Sequence, residues 1–157
     1  PKLLGFTENL LLMDFIEGLL LPAWIERTKK EENAEERIRR VLKNILEQCR
    51  RLDDAGLDHG ELSRASKHII VDYEDKPWIL DFESASVMRR ASNVTSICQF
   101  LFLKGKTANL ISEVINLNDT DKLIFLLRRY KRNRTRRSFD EVLKACVLND
   151  SDYKSMK

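Results

Sequence analysis

An α+β fold, mostly helical with one small β-hairpin, is what this sequence predicts. Three observations carry that expectation. Ile38, Val41, Leu42, Ile45, Leu46, Cys49 and Leu52 recur at spacings of three and four, which makes one apolar stripe on a long helix over 31–54. Ile69-Ile70-Val71 and Pro77-Trp78-Ile79-Leu80 are β-prone runs on either side of the polar Glu74-Asp75-Lys76 turn. From Asn93 onward the apolar residues keep a helical spacing.

Composition bounds the answer. A chain of 157 residues is one domain by prior and long enough to bury a real core. Hydrophobic residues at 43% beside 34% charged ones read as globular rather than disordered. A net charge of +3 is too mild for a dedicated nucleic-acid binder. Cys49, Cys98 and Cys146 are far apart in sequence, with no CxxC or Cys/His cluster. Neither zinc nor a disulfide framework is expected, and a reducing cytoplasm fits. Residues 10–21 are apolar but broken by Asp14, Glu17 and Gly18, and too short to span a bilayer, so no membrane is expected.

The elements follow in order. Leu10-Leu11-Leu12-Met13 reads as a short buried strand running into a connector at Gly18. Pro22 suits the first turn of a short helix reaching Lys30. Acids near the start of the long helix and Arg50-Arg51 near its end match the macrodipole, and Gly56 stops it. Residues 59–67 have little periodicity and read as a loop ahead of the hairpin. Asn93 is placed as the cap of a helix bearing Ile97, Phe100, Leu101 and Leu103 and ending at Gly105. Further helices are expected over 107–117, 119–131 and 138–147, the last opening with a capping box from Ser138 to Glu141.

The hairpin has a chemical consequence. It returns the chain to its start, so Asp81 comes close to the 59–67 loop and to Glu61. Two carboxylates can then face one pocket, one holding a divalent cation while the other orients or deprotonates a hydroxyl. In a chain this charged, solvated loop carboxylates are the plain alternative.

The wider string is more specific. His59-Gly60-Glu61-Leu62-Ser63, then Ile69-Ile70-Val71, then Asp81-Phe82-Glu83 resembles the catalytic loop and metal-binding segment of protein-kinase-like enzymes. The His-Gly-acid-Leu-Ser form is similar to RIO-type atypical kinases of archaea and bacteria. Leu12-Met13-Asp14-Phe15-Ile16-Glu17-Gly18 resembles the kinase hinge. The resemblance implies a kinase C-terminal lobe: hinge strand and connector over 1–18, helical lobe over 19–157. It implies ATP and Mg2+ as cofactors and a protein serine or threonine as substrate. Asp81 would chelate Mg2+, Glu61 would stand at the catalytic acid, His59 would brace the loop near Phe82, the backbone of Asp14 and Ile16 would bond adenine, and Ile70 would lie under it.

The departures are as informative. Glu61 replaces the family's Asp, and Glu83 its Gly. The metal-binding Asn is missing, and His68 or Ser66 falls near its place. His68 is the candidate second metal residue, although Mg2+ prefers oxygen and a structural role for the ring is the plainer reading. No Gly-rich loop or phosphate-pairing Lys occurs; with Pro1 rather than Met at the start, both are expected in an N-lobe before it. An alternative is a degenerate module that binds nucleotide or RNA without chemistry. For RNA or a ribosomal particle the candidate surface is Arg128, Arg129, Lys131, Arg132, Arg134, Arg136 and Arg137, against the plain reading of a solvated helix end.

Overall fold

The computed structural model describes residues 1–117 and 119–148. Two strands come first: β1 (Leu3–Phe6) and β2 (Leu11–Met13), an antiparallel pair. β3 (Gly18–Leu20) leads directly into α1 (Leu21–Thr28), where Pro22 sits in the first turn as expected. α2 (Ala34–Asp54) is the long helix. A short 3-10 stretch, Leu62–Lys67, precedes β4 (Ile69–Asp72) and β5 (Pro77–Ile79). Then come α3 (Asn93–Cys98), which runs on as a π-helical turn to Leu103, α4 (Lys106–Ser112), α5 (Thr120–Arg132) and α6 (Arg136–Ala145).

The hairpin lies where the residues require it. Ile69 pairs with Ile79, Ile70 with Trp78 and Val71 with Pro77. On its other side β4 pairs antiparallel with β3, so the sheet has three strands rather than the two expected. β3 is hidden in the sequence because it is short and contains Gly18. That glycine is needed: a Cβ there would lie 2.3 Å from the Val71 carbonyl oxygen. The hairpin turn is fixed to α2, with Arg37 donating from Nε and Nη2 to the two Asp75 oxygens, each at 2.7 Å. Such a two-pronged guanidinium–carboxylate pair sets orientation as well as attraction.

Strand alternation sorts β4. Ile69 and Val71 point into the core with Ile38, Val41, Leu42, Ile45 and Leu46 of α2. Ile70 lies on the other face, half-buried, across from Leu20 and Trp78. α3 and its π continuation supply Val94, Ile97, Phe100, Leu101 and Phe102 to the same core, and α5 and α6 close it with Leu123, Leu127, Phe139 and Val142.

Several expectations are corrected. β2 is exposed rather than buried, because among the described residues it pairs with β1 alone, itself a strand the sequence reading missed. Leu4, Phe6, Leu10, Leu11, Leu12 and Phe15 are all solvent-facing. Asn93 does not cap α3; Ser92 holds that position, and the Asn93 side chain is buried with partners of its own. α4 stops at Ser112, short of 117. α6 begins earlier than expected, with Thr135 as its cap exchanging hydrogen bonds with Ser138, because Ser138 serves as the third residue of the box rather than its start. The cysteines, distant in sequence, converge in the core, with Cys98 near both Cys49 and Cys146 and all three buried as free thiols.

Candidate functional site

The site is built where α2 ends. Gly56 turns the chain, and Asp58 then exchanges two backbone hydrogen bonds with Ser86, at 2.9 and 2.8 Å. This clamp joins the loop before the hairpin to the segment after it. Gly60 must be glycine, at φ +92° and with a Cβ position only 2.7 Å from Arg89 Nη2 and 2.8 Å from the Ser84 carbonyl oxygen.

His59 is fully buried, so it positions the loop and does not face solvent. Its Nε2 lies 2.9 Å from the Leu80 carbonyl oxygen, which fixes the proton on Nε2. Its ring rests 4.7 Å from that of Phe82. The His59 N–H donates to Asn93 Oδ1 at 2.9 Å. Asn93 Nδ2 donates to Asp53 Oδ1 at 2.8 Å and to the Leu57 carbonyl at 2.7 Å. Asp53, buried at the end of α2, also accepts from the Asn93 and Val94 backbone amides and from Tyr130 Oη. Burial beside Asp53 pushes the Tyr130 phenol far above its ordinary value, so it stays a donor. A chain of polar contacts thus runs from α5 through Asp53 and Asn93 to His59 and on to Leu80, one residue before Asp81.

Asp81 follows β5 and has φ +65°, a left-handed conformation that Asp tolerates better than most residues. Its side chain is half-exposed. Asp81 and Glu61 meet on either side of His68: His68 Nδ1 is 3.2 Å from Asp81 Oδ2, and Nε2 is 3.1 Å from Glu61 Oε2. One donor atom from each of the three lies within 4.8 Å of the others. Glu61 Oε1 accepts in addition from Ser84 Oγ. Beside Glu61 opens a cleft of about 700 Å³ lined by Asp58, Gly60, Ser63, Arg64, Ser84 and Arg89. Ser66 belongs to the 3-10 stretch and is exposed. Glu83 is exposed too.

The family of this constellation is established by sequence. A family model, described as the RIO domain, matches residues 1–97, from β1 into α3. The chain belongs to the RIO family. Members of the RIO family are atypical protein kinases that use ATP and Mg2+, so kinase-like phosphotransfer is the activity of this RIO domain at the level of its family. The chain is also similar to an uncharacterized protein of Methanocaldococcus jannaschii, with 28% identity over 123 residues that cover 76% of this chain and 99% of that protein. Among the described residues no helix is long and apolar enough to cross a membrane.

The remaining candidates are more dispersed. Asp14 and Ile16 lie in the extended connector between β2 and β3. The Asp14 N–H is used, donating to the Lys2 carbonyl at 3.0 Å. In the basic run, most cations have partners within the chain. Arg136 pairs with Glu47 and Asp140, Arg129 and Arg137 with Glu141, and Arg134 donates to the Asp53 and Ala91 carbonyls. Of the acids that balance the run, Asp140 and Glu141 follow it directly, and only Glu47 of α2 is hidden from the local sequence. Arg128, Lys131 and Arg132 have no side-chain partner among the described residues.

Sequence reasoning missed Asp53, Asn93, Ser84 and Asp58. For Asp53 a signal existed: it follows Cys49 by one helical turn and so places an acid on the apolar stripe.

Proposed function

We propose that this RIO domain carries the metal- and acid-bearing half of an ATP- and Mg2+-dependent site that transfers a γ-phosphate to a serine or threonine of a protein. The observation that supports it is the meeting of Glu61 and Asp81 around His68 at an open edge, beside a cleft wide enough for a substrate side chain.

Asp81 fits Mg2+: its carboxylate is a hard oxygen donor, half-exposed, and held in place by the hairpin. The ion, when bound, supplies positive charge to the phosphate oxygens. The protein does the positioning. His59 holds the loop to Leu80, and so holds Glu61 and Asp81 in register. The Asp14 carbonyl and the Ile16 backbone would bond adenine, with Ile70 beneath it. Glu61 stands where the family's catalytic acid stands. Its Oε1 already accepts from Ser84 Oγ, and its Oε2 lies 3.1 Å from His68 Nε2, so binding a substrate hydroxyl at Oε1 requires Ser84 to turn away. The bare apolar side chains of β1 and β2 suit a covering layer of strands, which in this reading is the N-lobe that grips the phosphates.

The test is transfer of γ-phosphate from ATP to protein by the intact protein. Asp81→Ala abolishes it, and unchanged turnover sinks the assignment. Glu61→Asp against Glu61→Gln separates a proton acceptor, for which only Asp retains activity, from a positioning group, for which Gln does too.

A further inference from the structure

His68 is the residue that does not suit Mg2+. Mg2+ takes oxygen ligands and accepts imidazole poorly, whereas transition cations of the first row bind imidazole readily. Yet the His68 ring stands between the two carboxylates, not beside them, with its side chain only 13% exposed.

Its two nitrogens differ. Nε2 is 3.1 Å from Glu61 Oε2, an ion-pair contact. Nδ1 is buried and has no hydrogen-bond partner, although Asp81 Oδ2 is 3.2 Å away. The pair is close but wrongly angled for an N–H to bridge it. That is the geometry of two ligands converging on a third body. A cation about 2.1 Å from each of two ligands at a right angle holds them roughly 3.0 Å apart. A neutral ring with its proton on Nε2, the nitrogen that faces the Glu61 carboxylate, leaves the Nδ1 lone pair free for that purpose. A carboxylate on the far nitrogen is also the usual means by which a protein fixes the tautomer and raises the basicity of a metal-binding histidine.

We propose that His68 Nδ1 and Asp81 Oδ2 form a mixed nitrogen–oxygen ligand pair, oriented by Glu61, that takes a first-row transition cation such as Mn2+ in preference to Mg2+. The proposal rests on the reading of Asp81 as a metal-binding residue and changes which cation that residue serves. It also gives Glu61 work that needs no proton transfer: holding the ring.

The experiment is Mn2+ binding to the full chain, followed by electron paramagnetic resonance without nucleotide. Pulsed spectra of the wild type should show a histidine nitrogen coupled to the bound Mn2+, and Mg2+ should displace half of it only at about tenfold or greater excess over Mn2+. His68→Ala should lose the nitrogen coupling. His68→Asn should lose it too, but should erase the margin over Mg2+ by restoring an oxygen. Glu61→Ala should keep the coupling and weaken Mn2+ by about tenfold. Mn2+ that binds in an Asp81-dependent way with no nitrogen coupling in the wild type overturns the proposal and leaves Asp81 as a metal-binding residue. Nitrogen coupling that survives His68→Ala overturns it as well. Mn2+ binding that is unchanged in Asp81→Ala overturns both the proposal and the reading beneath it.

Discussion

Asn93→Ala tests the frame that holds the site. The Asn93 side chain is 1% exposed and joins three elements: it accepts from His59 N–H and donates to Asp53 and to the Leu57 carbonyl. Alanine removes all three bonds. The His59 amide, in a residue of 0% exposure, is left as an unpaired buried donor, at about 1–3 kcal/mol. The bond to the Asp53 carboxylate is charge-assisted and contributes roughly 1.5–3 kcal/mol. Asp53 keeps its bonds from two backbone amides and Tyr130, so it is not stranded. Leu57 is a half-buried residue, and its carbonyl is taken to recover a water. The sum is a loss on the order of 3–5 kcal/mol, a large share of the 5–15 kcal/mol typical of a domain. Urea unfolding followed by circular dichroism reads this as a lower midpoint at unchanged slope. Asn44→Ala, which loses only an exposed bond to Gln48, is the control and should stay within about 0.5 kcal/mol. A loss below about 1 kcal/mol for Asn93→Ala would refute the claim that this side chain ties α2, the loop and α3 together.

Other outcomes follow from the same contacts. Hydrogen bonds from Arg37, opposed by burial, together with the charges of Arg37 and Arg40, hold the Asp75 carboxyl below its ordinary 3.8. Its stabilisation is therefore complete above that value and lost as pH falls through the lowered one; Asp75→Asn should lose about 2 kcal/mol at pH 7 and show a shallower acid transition by fluorescence. Burial drives the Cys49 and Cys146 thiols well above their ordinary value, so native protein should resist alkylation by iodoacetamide at pH 8 and react fully in guanidinium. Arg134→Ala should cost about 1–2 kcal/mol in thermal or urea unfolding, since it unlinks the Asp53 and Ala91 carbonyls, while Arg132→Ala should leave stability within about 0.5 kcal/mol.

What could be read in the sequence was what depends on near neighbours. The stripe from Ile38 to Leu52 specifies α2 by itself, and the Ile69–Val71 and Pro77–Leu80 runs specify their own pairing through a polar turn between them. The order of these elements brings Asp81 toward Glu61 whatever the remaining packing. What could not be read depends on partners far along the chain. β1 and β3 are too short to show a pattern, and β3 exists because β4 offers an edge. Asn93 looks like a cap because caps and buried tethers use the same residue type; only the fold brings Asp53 within 2.8 Å of it. The basic run looked unbalanced because Glu47 is on another helix.

Two departures from the family pattern, Glu61 for Asp and His68 near the place of Asn, read in sequence as separate losses. In space they touch. A carboxylate one methylene shorter would fall back by about 1.5 Å, and could not keep both Ser84 Oγ and His68 Nε2, the latter now 3.1 Å away. The longer arm of Glu61 is what lets it reach a ring that the family's Asp would not need to reach. The two substitutions therefore read as one exchange, an Asp–Asn pair traded for a Glu–His pair. Such an exchange predicts coupling. Glu61→Asp and His68→Asn should each weaken Mn2+ binding, yet the double variant should recover part of the loss, with an interaction energy of about 1 kcal/mol or more. Its preference should also move toward Mg2+, because the restored pair is all oxygen. Effects that add to within about 0.3–0.5 kcal/mol would mean that Glu61 and His68 act independently, and the two changes would again stand as separate losses.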